Sequence, residues 1–77
     1  MPTILRRNGY RFYFFSHEPN EPPHIHADKG NATIKVWLDS LTVAKSRGFR
    51  PHEIAGIIAI IGENRALFVE KWHEYFG

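Results

Sequence analysis

A chain of 77 residues, 43% hydrophobic and 23% charged, is long enough for one small core and too ordinary in composition for disorder. It has no cysteine, which excludes a disulfide framework and a zinc–thiolate site. The net charge of +2 is small, but the cations are grouped: Arg6, Arg7 and Arg11 precede any acid, and Lys45, Arg47 and Arg50 fall between Asp39 and Glu53. Such stretches can meet phosphate, and more often are an ordinary solvated face.

Residues 3–7 are β-compatible and run into Asn8-Gly9, a strong two-residue hairpin signal, from which an aromatic strand returns over residues 10–15. Its aromatics fall on both faces apart from Arg11, the pattern of a central or doubly covered strand. Residues 16–23 hold three prolines, an asparagine and two acids, and predict a loop. A strand over 24–28 follows, with Lys29-Gly30 as its turn. Residues 31–38 return in alternation, with Ala32, Ile34, Val36 and Leu38 to one side and Thr33, Lys35 and Trp37 to the other. Asp39-Ser40 ends the alternation, and residues 41–45 fit either a short strand or a helical turn.

From Pro51 the pattern is helical. Proline suits the first helical position, and Glu53 places a carboxylate near the positive helix end. Phe49 and Ile54 have the spacing of a hydrophobic staple around Arg50. Ile54, Ile57, Ile58, Ile61, Phe68, Trp72 and Tyr75 keep helical spacing, interrupted at Gly62 and Asn64, so one long helix or two consecutive ones are expected. The expected fold is a single α+β domain over residues 1–77, with strands and loops over 1–48 and helix over 49–77. About four hairpin-connected antiparallel strands form its sheet, covered on one face by helix.

The opening Met1-Pro2-Thr3-Ile4-Leu5 has no export-type apolar stretch, and the longest apolar run, over 54–61, is far short of the ~20 residues a bilayer span needs. A cytoplasmic protein without membrane contact is expected.

The pointed chemical feature is Pro22-Pro23-His24-Ile25-His26. Residues two apart on a strand share a face, so His24, His26 and Asp28 project together and Ile25 and Ala27 project oppositely. A Lys29-Gly30 turn pairs Asp28 with Asn31, His26 with Thr33 and His24 with Lys35. The polar face then holds His24, His26, Asp28, Thr33, Lys35 and Trp37, away from the helix. His17, Glu18 and Glu21 lie in the preceding loop, within reach of it.

Three chemistries fit that face. Two histidines with His17, Glu18, Glu21 or Asp28 as a third ligand would hold a divalent metal. His24 and His26 as acid and base, with Lys35, would cleave RNA without a metal, since the 2′-hydroxyl is the nucleophile. The third chemistry is binding alone, of RNA or a protein, with Arg6, Arg7, Arg11, Asp28, Thr33, Lys35 and Trp37 as contacts and Trp37 or Tyr13 to stack a base. The bland alternative is a set of hydrogen-bonded surface histidines, and His52 and His73 read that way in any case. There is no phosphate loop, dinucleotide fingerprint, His-Glu-X-X-His or nucleophile elbow, and no cofactor is expected.

The opening Met-Pro-Thr-Ile-Leu, the aromatic strand, Glu21-Pro22-Pro23-His24-Ile25-His26, Lys35-Val36-Trp37-Leu38 and the closing Glu70-Lys71-Trp72-His73-Glu74-Tyr75-Phe76 together resemble a family of small prokaryotic proteins classed as a domain of unknown function. The resemblance implies a short cytoplasmic protein encoded beside a small partner protein, in an arrangement like a toxin–antitoxin pair. It implies no activity. The leading expectation is therefore an interaction module of such a two-component system, with RNA or a partner protein on the His24/His26 face. A ribonuclease and a metal-binding domain are the alternatives.

Overall fold

In a computed structural model, residues 3–15 and 20–76 are described. The chain opens as a hairpin, β1 (Thr3–Arg7) and β2 (Tyr10–Tyr13), joined by Asn8-Gly9 with positive φ at both residues, as the right-handed twist of a tight hairpin requires. β2 is shorter than the aromatic run, but the run keeps its burial beyond the ladder, since Phe14 is fully enclosed.

β3 (His24–Lys29) and β4 (Ala32–Trp37) form the next hairpin. Its loop is Gly30-Asn31 rather than Lys29-Gly30, with Lys29 opposite Ala32. The reason is conformational. Gly30 has φ +59 and Asn31 does not share it, so glycine sits at the first central position of the turn; the expected loop would have put Lys29 there. The pairing moves by two residues: Asp28 meets Thr33, His26 meets Lys35 and His24 meets Trp37. A shift of two leaves every side chain on its expected face, because the strand period is two.

A fifth strand, β5 (Val43–Arg47), adds one to the expected four and resolves residues 41–45 as mainly strand. The sheet is antiparallel throughout, in the order β1-β2-β3-β4-β5. The β4–β5 connection is a tight reversal. Trp37 N–H donates to the Thr42 carbonyl, Leu41 N–H donates to the Trp37 carbonyl, and Leu41 takes φ +56. The Arg65 guanidinium donates to the carbonyls of Leu38 and Asp39, tying this turn to the helices.

Two helices follow, α1 (Pro51–Glu63) and α2 (Arg65–Phe76). The Glu53 carboxylate accepts the Arg50 backbone N–H at the start of α1. The break falls at Asn64, whose side-chain amide donates to the Ile60 carbonyl at 2.8 Å and competes with helix continuation. Both helices cover one sheet face. Phe12, Phe14, Ile25, Ala27, Ile34, Val36 and Leu38 meet Ile57, Ile60, Ile61, Phe68 and Trp72 in a single core. Tyr75, expected on the packed stripe, is exposed, and Phe76 packs in its place. Among the described residues no helix is long and apolar enough to cross a membrane.

Candidate functional site

The strand registers carry the polar residues into rows on the face turned away from the helices. One row runs Arg6, Arg11, Asp28, Thr33, Arg47, and the next Thr3, Tyr13, His26, Lys35, Lys45. His24 and Trp37 begin a third. Directly opposed residues of antiparallel strands share a face and lie about 4.5–5.5 Å apart, so five cations from four strands, Arg6, Arg11, Lys35, Lys45 and Arg47, share one surface.

Aromatic rings stand among them. Tyr13 stacks on His26 at 5.4 Å between ring centroids, and Phe15 meets His26 edge-on at 4.4 Å. The Arg11 guanidinium lies 4.5 Å over the Tyr13 ring while its Nε donates to Thr3 Oγ1, and Lys35 Nζ lies 4.8 Å from the centre of the Trp37 ring. The acids on this side are engaged. Asp28 accepts the Tyr13 hydroxyl at 2.9 Å, and Glu21 reaches from the loop to pair with Lys35.

Burial, and then the Asp28 carboxylate, push the Tyr13 phenol from its ordinary 10.0 up to about 12. The folded protein therefore keeps a proton that the unfolded chain releases from about pH 10. The stability from this group is present below about pH 10 and is lost as pH rises towards 12. Tyr13→Phe should remove this alkaline loss together with the last phenolate absorbance step. At neutral pH it should cost about 1.5–3 kcal/mol in urea unfolding, the ordinary cost of a lost hydrogen bond to a charged group. An unchanged alkaline stability profile in the variant would place the late proton elsewhere.

The expected site residues divide. Asp28, Thr33, Lys35, Trp37 and His26 share the face expected from their alternation, and the register brings Arg6 and Arg11 to it as well. Arg7 does not: it pairs with Tyr10 one position along, on the opposite parity, where Tyr10 packs edge-on against Phe12 and Phe49. His24 departs from its expected place clear of the helix. It is 0% exposed and lies 4.8 Å from Trp72 of α2, 5.5 Å from Trp37 and 5.1 Å from His26 between ring centroids. At the first residue of β3 no further strand separates the two faces, and the Trp72 indole is large enough to touch both Phe14 and His24. His24 Nδ1 lies 3.0 Å from the Pro22 carbonyl oxygen, which can only accept, so that nitrogen carries the proton.

An acid–base pair needs both imidazoles at the substrate, and His24 has no exposed surface. A metal needs a third ligand. Among the described residues no group of three His, Asp or Glu is placed to hold an ion, and His17 and Glu18 lie outside those residues. His52 and His73 are exposed on the helices.

Lys45, Arg47 and Phe15 were absent from the expected contacts. The alternation of Lys45, Arg47 and the intervening Ala44 and Ser46 was their signal, masked by the undecided conformation of residues 41–45.

A family model described as a domain of unknown function (DUF4160) matches residues 9–73. No curated protein and no solved structure matches the chain significantly.

Proposed function

We infer that this chain, which belongs to the DUF4160 family, works as a binding module that takes single-stranded RNA across the sheet face opposite its helices. The observation that carries the reading is the in-register grouping of Arg6, Arg11, Lys35, Lys45 and Arg47 around the accessible rings of Phe15 and Trp37, with the buried rings of Tyr13 and His26 packed against Phe15. A chain of phosphates meets separated positive charges, and unstacked bases meet ring faces and edges, so cations interleaved with aromatics suit a single strand. The double helix would present its bases to neither.

Binding is favoured over cleavage because His24 is enclosed and His26 alone of the pair reaches this side. The motif resemblance adds the setting: a prokaryotic cytoplasm and a small partner protein in a toxin–antitoxin-like pair.

The test is fluorescence anisotropy of a short labelled single-stranded RNA against salt concentration. Three to five phosphate contacts at about 0.7 ions each predict a log–log slope of about −2 to −3.5. A flat dependence, or no binding at low salt, would sink the RNA reading.

A further inference from the structure

The cation face is not flat. Over the β4–β5 pair it forms a hollow of about 510 Å³, lined by Phe15, His26, Thr33, Lys35, Lys45 and Arg47, with Ile34 and Ser46 completing it from the intervening positions. That volume falls within the range of small-molecule sites, about 300–1,000 Å³. From this hollow we propose a subsite for one nucleotide, with its phosphate at Lys45, Arg47 and Thr33 and its base against Phe15 and His26. The proposal deepens the RNA-binding reading of the same face and rests on it.

The polar end is built by the ladder. Thr33 is directly opposite Arg47 and Lys35 directly opposite Lys45, so the backbone positions that carry a hydroxyl, a guanidinium and two ammonium groups stand at the corners of a small rectangle. Its sides are about 5 Å across the strands and 7 Å along them. Lys35 is already paired with Glu21. Lys45 and Arg47 have no ion-pair partner among the described residues, so an arriving phosphate need displace no internal acid from either of them. Arginine supplies a planar fork that matches two phosphate oxygens, and the threonine hydroxyl can donate to a third.

The aromatic end is built by packing. Phe15 is 37% exposed, which is unusual for a phenylalanine adjoining a core, and it is held edge-on to His26 and to Tyr13 at 5.3 Å. Its ring is fixed on one side by these neighbours and open on the other, the condition for stacking a base without a large ordering cost. Charge at one end and ring surface at the other select a nucleotide over either free phosphate or a free nucleoside.

The experiment titrates adenosine 5′-monophosphate, adenosine and inorganic phosphate separately into the full chain, followed by amide NMR shifts. It uses wild type, K45A/R47A and F15A, with the labelled RNA measured in parallel. Lys45 and Arg47 are exposed, so the double variant keeps the fold, which the same spectra verify. The nucleotide should move the amides of Thr33, Lys35, Lys45 and Arg47. It should bind at least about tenfold tighter than phosphate or adenosine, and lose about tenfold or more in K45A/R47A and severalfold in F15A. Equal shifts from phosphate and nucleotide, or no loss in K45A/R47A, would overturn the subsite. RNA bound equally by wild type and K45A/R47A, with no nucleotide binding, removes the subsite and leaves the RNA surface. Nucleotide bound at the hollow without RNA binding does the reverse.

Discussion

Trp72→Ala should leave the chain without a cooperative unfolding transition at 25 °C. Trp72 is 5% exposed and joins three parts of the molecule: Phe14 beyond β2 at 5.4 Å, His24 at the start of β3 at 4.8 Å, and Phe76 one turn along α2 at 4.1 Å. Truncating a buried tryptophan costs about 3–5 kcal/mol through lost transfer energy and the void that remains. A domain of this size has about 3–5 kcal/mol in total. The two quantities are equal in size, so removal of one side chain is expected to unfold most of the population. Trp72→Phe keeps a ring against Phe14 and should cost less than half as much. Urea unfolding followed by far-ultraviolet circular dichroism, with Trp37 fluorescence as the second probe, checks both. A Trp72→Ala midpoint close to that of wild type would mean that the end of α2 is not held against His24 and Phe14.

The same contact explains why the site was only partly legible in the sequence. Period-two alternation fixed which residues of β3 and β4 share a face, and it survived an error in the register because the error was an even number of residues. What alternation cannot report is where a face stops being a face. His24 has the parity of His26, but it sits at the strand's first residue, within reach of an indole from a helix 48 positions away in sequence. Only tertiary packing decides that.

β5 stayed open between a strand and a helical turn for the opposite reason. All five of its residues are exposed, so it has no apolar side to betray a strand, and its place is set by the ladder to β4. Edge strands with charged side chains read as loops because the features that protect an edge from aggregation also erase the strand signal. Lys45 and Arg47 therefore read as a basic stretch able to meet phosphate, with no place on a face. Once paired with Lys35 and Thr33 they become half of the cation surface. The helices were the most legible part, since their apolar spacing and the interruption near Asn64 are local properties.

Two glycine substitutions should have opposite signs, and the contrast tests how β5 is joined to the helices. Gly48 follows β5 at φ +90, and a Cβ there would stand 3.0 Å from Ala32 Cβ and 3.1 Å from Ala32 Cα. Gly48→Ala therefore meets two costs, a backbone conformation that side chains disfavour and a contact with the start of β4 that only a backbone shift can relieve. Together they are expected to destabilise by about 2–4 kcal/mol. Gly56, inside α1, is exposed, and a Cβ there would meet nothing within 4 Å. Gly56→Ala should stabilise by about 0.5–1 kcal/mol, because alanine restricts the unfolded chain and favours helix. The chemical change is identical, so composition and hydrophobicity predict no difference between the variants; the difference comes from where each glycine sits, Gly48 in the turn that sends the chain from the sheet edge into α1 and Gly56 on the open face of that helix. Denaturant midpoints of the two proteins measured side by side give the answer. A Gly48→Ala variant as stable as wild type would mean that residue 48 neither holds a left-handed backbone nor lies against Ala32. The β4–β5 pairing that brings Lys45 and Arg47 to the cation face would then need to be redrawn.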